Sequence, residues 1–220
     1  MTMAGRATDP GAEAGLSERL SAGAQALGLG LTADRQGLLL RFLAMLVHWN
    51  RAYNLTAVRD PLEMVAKHLL DSLAIHDFLF GDRVLDVGTG AGLPGIPLAI
   101  LSPERRFWLL DSNGKKVRFV RQVVLELGLA NVEPVQSRIE TYRPQGKFST
   151  IVSRAVAADD ILRAPTAQWL ARPGRLLLMK GRETEEPLDT SAFSAAAPRV
   201  HRLSVPFLDV SRHLIEIRSD

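Results

Sequence analysis

Hydrophobic positions follow two different periods along the chain, and the change falls near residue 80. In the first part they recur at helical spacing, most clearly in Leu39, Phe42, Leu43, Leu46, Trp49 and Tyr53. Thr32 is a suitable N-cap for that helix, which we expect to end near Tyr53. A second helix start follows, because Asp60 can cap and Pro61 and Glu63 suit the first turn. Its predicted buried stripe is Leu62, Val65, Leu69 and Leu73.

Beyond residue 80, short apolar strands alternate with helices. The candidate strands are 83–88, 106–111, 132–137, 148–153, 175–180, 200–205 and 212–218, and the candidate helices lie near 95–101, 114–128 and 158–171. Strands that are apolar throughout favour a parallel sheet covered on both faces. The last two strands are joined only by a turn, which predicts an antiparallel hairpin at the sheet edge. The predicted fold class is therefore α/β, with a Rossmann-like, mostly parallel seven-stranded sheet behind a helical extension.

The pattern divides the 220 residues into three parts: a disordered lead-in (1–15), a helical N-terminal extension (16–80) and one α/β domain (81–220). The lead-in is rich in Ala and Gly and lacks the apolar stretch of a signal peptide. No apolar run reaches the roughly 18 residues of a membrane-spanning helix. We therefore expect a cytoplasmic protein.

Composition narrows the chemistry mainly through what is missing. The chain contains no cysteine, which excludes disulfides, thiolate metal sites and covalent thiol catalysis. The net charge of +3 is only mildly basic, and by itself it says little about nucleic-acid binding.

A glycine loop is the strongest local signal. Gly88, Gly90 and Gly92 follow the first predicted strand and precede a helix, a context in which glycines let a ligand approach the backbone closely. A dinucleotide site would place its third glycine at position 93, where this chain has Leu93. The Gly-x-Gly-x-Gly form after Asp86 resembles the first motif of class I methyltransferases, so the cofactor it predicts is S-adenosylmethionine.

Two further turns extend this cofactor site. Asp111 ends the second strand about 20 residues after the first loop glycine, the spacing expected of a carboxylate that accepts hydrogen bonds from ribose hydroxyls. The turn after the third strand contains Ile139 and Glu140, and in such folds this turn meets the adenine edge. We expect all of these residues at one edge of the sheet.

Several methylation chemistries are disfavoured by residues that the chain lacks. Pyrimidine C5 methylation needs a cysteine nucleophile. Methylation of exocyclic amines typically uses an Asn/Asp-Pro-Pro-aromatic motif after the fourth strand, where this chain reads 151–156 as IVSRAV. Ribose methylation would recruit Lys180 and Glu216, but the Asp expected after the fourth strand is missing. A nucleophile that needs no deprotonation, such as guanine N7, fits best, although other nucleophiles fit as well.

The order of the motifs then points to one family. They are Trp49–Asp60, His68–Ser72, Asp86–Pro97, Leu110–Ser112, Lys115–Phe119, Ser153–Ala155 and Met179–Gly181. Over residues 40–218 they closely resemble the bacterial 16S ribosomal RNA guanine-N7 methyltransferases, the glucose-inhibited division protein B family. The resemblance implies S-adenosylmethionine-dependent methylation of a guanine in the 530 loop, with 16S rRNA in the small subunit or an assembly intermediate as partner. It also implies cofactor contacts at Gly88, Leu93, Ile139, Glu140 and Arg154.

The remaining polar groups leave alternatives open. His68, Asp71 and Ser72 share one helical face, which looks either into the active cleft or against the catalytic domain. One His and one Asp do not make a metal site, so no metal is expected. Basic side chains either contact RNA phosphate or form a solvated face, and the RNA-binding candidates are Asn54, Arg59, Lys115, Lys116, Arg118 and Lys180. Lys180 is also the candidate for positioning the target base.

Two competing functions remain at this point. A small-molecule methyltransferase of the same fold would bind no RNA. A non-catalytic dinucleotide-binding protein would bind NAD, and Leu93 in place of the third glycine argues against it.

Overall fold

The sheet and its flanking helices come from a computed structural model that describes residues 10–154, 161, 165–181, 193 and 197–219. Seven strands form one sheet in the order β3-β2-β1-β4-β5-β7-β6. The strands are β1 Arg83–Val87, β2 Arg106–Asp111, β3 Val132–Gln136, β4 Phe148–Ser153, β5 Leu170–Lys180, β6 Arg199–Leu203 and β7 Arg212–Ser219. The first five pair in parallel, and β7 runs antiparallel to both β5 and β6. The predicted α/β sheet with an antiparallel edge hairpin is confirmed.

Helices cover the sheet and build the N-terminal part. They are α1 Pro10–Ala26, α2 Ala33–Tyr53, α3 Pro61–Met64, a π-helical segment Val65–Leu70, α4 Asp71–Leu73, a 3-10 turn His76–Phe78, α5 Gly95–Leu101, α6 Gly114–Leu127 and α7 Thr166–Trp169. Both predicted caps are present: Thr32 Oγ1 accepts from the Arg35 amide at 3.3 Å, and Asp60 Oδ1 accepts from the Leu62 amide at 3.0 Å. Of the predicted helix 158–171, residues 158–160 and 162–164 lie outside the described residues, Thr166–Trp169 is helical, and β5 already begins at Leu170.

The disordered lead-in was predicted too long, because α1 already begins at Pro10. Proline is tolerated in a first helical turn, and Ala12 and Ala14 are the best of helix formers. The same part of the chain contains a second departure from the pattern: Leu62, expected in the buried stripe, is 43% exposed. Residues 65–70 form π-helical turns, which are wider than α-helical turns. The buried positions on either side of them are therefore not related by α-helical spacing, and Met64 is buried in place of Leu62.

The extension and the sheet share one hydrophobic cluster. Leu20 of α1 and Phe42 of α2 belong to the same buried group as Val84 of β1 and Phe119 of α6. The division between an extension (16–80) and a catalytic domain (81–220) stays a prediction about chain organisation. In the described part of the chain, no helix is long and apolar enough to cross a membrane.

Candidate active site

The glycine loop turns tightly between β1 and α5. Gly88, Gly90 and Gly92 have φ values of 70°, 59° and 83°, a region that other residues enter only with strain. The amides of Gly88 and Thr89 both donate to the Leu110 carbonyl, at 2.8 and 3.0 Å. The loop is therefore fastened to β2, and its backbone is open to a ligand at the carboxyl edge of the sheet.

Asp86, at the end of β1, fixes the loop through hydrogen bonds from both of its sides. Its Oδ2 accepts from Thr89 Oγ1 at 2.7 Å and from the Gly95 amide at 2.9 Å, and the side chain is fully buried. Burial raises the pKa of Asp86 to about 6. Leu93 is also buried, and its amide donates to the Thr89 carbonyl at 2.9 Å. These contacts fix the shape of the loop before any ligand arrives.

Asp111 stands beside the loop, as the sequence predicts. One carboxylate oxygen accepts from the Gly90 amide at 2.8 Å and the other from the Asn113 amide at 2.8 Å. Asn113 in turn caps α6 by accepting from the amides of Lys115 and Lys116. A Cβ atom built on Gly90 would lie 3.9 Å from Lys116 Nζ. The loop, the acid and the basic start of α6 thus form one continuous site.

The turn after β3 lies next to Asp111. The Ser137 amide donates to the Asp111 carbonyl at 3.2 Å, which ties the two strand ends together. Ile139 packs partly buried against the core cluster that contains Val87 and Leu110, while Glu140 is exposed. The geometry brings this turn to the edge where the adenine contact was predicted, and the contact itself stays a prediction.

Arg154 joins the sheet to the helical extension. Its Nη1 donates to the Lys67 carbonyl and to Asp71 Oδ2, each at 3.2 Å. The other oxygen of Asp71 accepts from Arg212 Nε at 3.0 Å, at the start of β7. The Asp71 residue is 4% exposed. One buried carboxylate therefore holds the ends of β4 and β7 against the extension, which favours the docking role of this helical face.

His68 belongs to the same joint. Its Nε2 lies 2.8 Å from Thr56 Oγ1, and the Ser72 hydroxyl donates to the His68 carbonyl. Burial, with the positive charge of Arg154 as a smaller cause, lowers the pKa of His68 to about 4. The imidazole is therefore neutral at physiological pH. No group of three or more His, Asp or Glu side chains in the described ranges is placed to hold a metal ion.

Comparison with known proteins decides between the families that share this architecture. The model of the family described as rRNA small subunit methyltransferase G matches residues 35–215. The chain belongs to this family. A Ribosomal RNA small subunit methyltransferase G from Methylococcus capsulatus is 51% identical over 199 residues, covering 90% of this chain and 97% of the relative. One from Pseudomonas aeruginosa is 50% identical over 203 residues, covering 92% and 95%. The resemblance seen in the motifs is confirmed.

Solved structures agree on the fold. A tRNA (m1A58) methyltransferase from Aquifex aeolicus has a TM-score of 0.53 at 16% identity, covering 69% of this chain and 68% of that one. A SAM-dependent methyltransferase from the same organism has a TM-score of 0.50 at 19% identity, covering 73% and 94%. The fold of this methyltransferase G family member is that of class I methyltransferases, as predicted.

Two of the RNA-binding candidates in this methyltransferase G family member have structural partners. Asn54 ends α2 in the left-handed conformation, with φ 49°. Arg59 donates to Asn54 Oδ1 at 2.8 Å and to the Asn50 carbonyl at 3.1 Å. These contacts hold the loop between α2 and α3 in place, and an RNA contact at either residue stays a prediction.

The other candidates are divided between two places. Lys115 and Arg118 are exposed on α6, and Lys116 is half-buried beside the glycine loop. Lys180 ends β5 opposite His213 and lies on the far side of β1 and β4 from Asp111. The α6 cations and Lys180 therefore flank the carboxyl edge of the sheet from opposite sides.

Two residues that complete the site were not predicted from the sequence. Arg212 reaches Asp71 across 141 positions of the chain, and nothing in the pattern of β7 distinguishes it from the other arginines. Asn113 was also missed, although an Asn directly before a helix is a usual N-cap signal.

Proposed function

We propose that this chain transfers a methyl group from S-adenosylmethionine to N7 of a guanine in the 530 loop of 16S rRNA, in the small subunit or its assembly intermediate. We place this reaction in the cytoplasm. The observation that carries the proposal is the continuity of the site: Asp111 bonds the glycine loop at Gly90, and Lys116 of α6 lies beside the same glycine. A cofactor cradle thus borders a basic helix that suits an RNA backbone.

The residues present fit the cofactor. S-adenosylmethionine carries its transferable methyl group on a sulfonium. The bare backbone at Gly88 and Gly90 allows close approach of the ligand, and the Asp111 carboxylate is placed to accept from ribose hydroxyls. We propose cofactor contacts at Gly88, Gly90, Leu93, Asp111, Ile139, Glu140 and Arg154.

Among the described residues, the carboxylates that bond within the loop and the joint favour an acceptor that needs no general base. Asp71 is engaged by Arg154 and Arg212, Asp86 is buried beneath the loop, and Asp111 accepts from two backbone amides. With its pKa near 4, His68 is a weak base. Guanine N7 presents an in-plane lone pair that is unprotonated at neutral pH, so these residues have only to hold the reactants in line.

Positioning is then the main contribution of the protein. Holding the acceptor nitrogen in line with the methyl group removes a large entropic barrier. The loop fastened by Asp86 supplies a fixed floor for the cofactor. We propose that Lys180 and the α6 cations orient the RNA from the two sides of the sheet edge, with Asn54 and Arg59 contributing at the end of α2.

Methyl transfer with mapping of the product tests this function. Purified protein and radiolabelled S-adenosylmethionine would be incubated with undermethylated 30S subunits, with free 16S rRNA and with protein fractions. We expect label in 16S rRNA and a single modified guanine, with cleavage chemistry specific for N7-methylguanine marking its position. Label confined to protein or small molecules, or at an atom other than N7, would contradict the proposal.

A further inference from the structure

The end of α2 carries an aromatic stack that runs from the hydrophobic core to the surface. Tyr53, the last residue of this helix, stacks on Trp49 with ring centroids 5.2 Å apart and planes 28° from parallel. Trp49 in turn packs against the buried Phe119 of α6, at 5.5 Å. Tyr53 itself is 40% exposed. The half-buried Trp49 and the buried Phe119 thus support an aromatic ring that is itself partly exposed to solvent.

The packing of α2 and α6 places this ring at the end of α6 that borders the cofactor loop. The two helices run antiparallel, since Arg41 of α2 reaches the Glu126 carbonyl near the end of α6, whereas Trp49 meets Phe119 in its middle. Tyr53, one helical turn beyond Trp49, therefore lies along the first turn of α6. Lys116 of that turn lies beside Gly90.

Cations lie on the side of α6 that meets the ring. Lys115 and Arg118 are exposed on α6, and Lys115 stands one helical turn before Phe119, on the face that packs against α2. Neither has an ion pair within the described part of the chain. A stacking ring beside free cations suits unpaired nucleotides, because the cations follow the phosphates while the ring stacks on a base.

We propose that Tyr53 is a stacking platform for an unpaired RNA base next to the target nucleotide, a role that rests on the proposed rRNA methylation. Trp49 supports the ring from beneath, and the α6 cations hold the adjoining phosphates. The platform positions substrate and takes no part in the chemical step. It adds base stacking to the basic residues already considered for RNA contact.

The test compares Tyr53→Ala, Tyr53→Phe and Leu125→Ala in the full chain. Leu125 is exposed at the opposite end of α6 and is the matched control. Steady-state methyl transfer to undermethylated 30S subunits, or to 16S rRNA if that is the better wild-type substrate, gives kcat and KM. Loss of one base stack predicts that Tyr53→Ala raises the KM for RNA about 5- to 150-fold, with kcat unchanged. Tyr53→Phe and Leu125→Ala should match the wild type.

Two further measurements separate stacking from charge and from folding. The slope of RNA affinity against salt should stay the same in Tyr53→Ala, whereas Lys115→Ala should lower it by about 0.7 to 0.9. Calorimetry with S-adenosylmethionine should give wild-type affinity in Tyr53→Ala. Lost cofactor affinity in both Tyr53→Ala and Tyr53→Leu would overturn the proposal by showing that the ring is structural.

The two proposals fail in different ways. If the wild type methylates rRNA and Tyr53→Ala has an unchanged KM, the platform is wrong while the function stands. A Tyr53→Phe variant as impaired as Tyr53→Ala would also overturn the platform, because the hydroxyl would then matter instead of the ring. Absence of RNA methylation by the wild type would overturn both proposals.

Discussion

The glycine loop and the joint at Asp71 are two polar sites at the same sheet edge, and they are built in opposite ways. The loop is local: Thr89 and the Gly95 amide both donate to Asp86 within ten residues, and Asp111 of the next strand accepts from the Gly90 amide. The joint is long-range, since Asp71 receives Arg154 and Arg212 from strands far along the chain. This contrast fits the proposed division of labour, in which the loop would bind the cofactor and the joint would hold residues 61–73 against the strands.

The largest expected effect comes from breaking the joint. Asp71→Ala would leave two partly buried guanidinium groups without their carboxylate, and removing one partner of a buried ion pair costs about 3–5 kcal/mol. We expect a loss of this size in the free energy of unfolding, measured by urea denaturation. Asp77→Ala is the control, because its side chain is 82% exposed and its loss should have little effect. Equal stability of the two variants would show that the joint does not stabilise the fold.

Breaking the loop should affect ligand binding more than folding. Asp111→Ala leaves ribose hydroxyls unpaired and removes the acceptor of the Gly90 amide, a loss of about 1–3 kcal/mol in S-adenosylmethionine binding. Gly88→Val forces a branched residue into a φ of 70° at the ligand side and should also weaken binding. Calorimetry measures both, with Ser112→Ala as control. Unchanged affinity in both variants would place the cofactor elsewhere.

The loop and the joint should also respond differently to pH, because each contains one group with a shifted pKa. The pKa of His68 falls from 6.5 to about 4 on folding, so its stabilising contribution is complete above pH 6.5 and is lost between pH 6.5 and 4. The pKa of Asp86 rises from 3.8 to about 6, so its destabilising contribution disappears as the pH falls through 6 toward 4. The two slopes have opposite signs and largely offset each other.

Replacing one of these two residues should therefore expose the pH dependence of stability that the other contributes. His68→Gln should become more stable relative to the wild type as the pH falls from 6.5 to 4, by on the order of 2 kcal/mol. Asp86→Asn should change in the opposite sense over pH 6 to 4. Urea denaturation at several pH values measures the differences. Parallel pH profiles for wild type and His68→Gln would contradict the lowered pKa.

The smallest effect is expected at an exposed ion pair on the same helical segment. Lys67 Nζ lies 2.6 Å from Glu63, yet the two side chains are 41% and 51% exposed. Such i, i+4 pairs contribute about 0.3–0.5 kcal/mol. Glu63→Ala should therefore cost far less in unfolding free energy than Asp71→Ala, and a comparable loss would mean that burial does not set the strength of these pairs.

The same contrast explains what the sequence could predict. Strand bounds, helix caps and the glycine loop follow from short-range patterns, and Gly88, Gly90 and Asp111 lie together as expected. The role of Asp71 could not be derived, because its second partner, Arg212, is brought to it only by the antiparallel insertion of β7 beside β5. The exposure of Leu62 was not predicted, because no sequence rule applied to 61–73 predicts the π-helical turns that follow it.

The pH profile of the chemical step tests directly whether methyl transfer to guanine N7 proceeds without a general base. Single-turnover rates would be measured with saturating enzyme and S-adenosylmethionine on undermethylated 30S subunits, from about pH 6.5 to 8.5. We expect a nearly flat profile, because N7 is unprotonated throughout, and the same flat shape in Lys180→Ala even where its rate is lower. A log-linear rise with pH that disappears on replacing one residue would exclude this chemistry, since the acceptor would then be a group that must lose a proton.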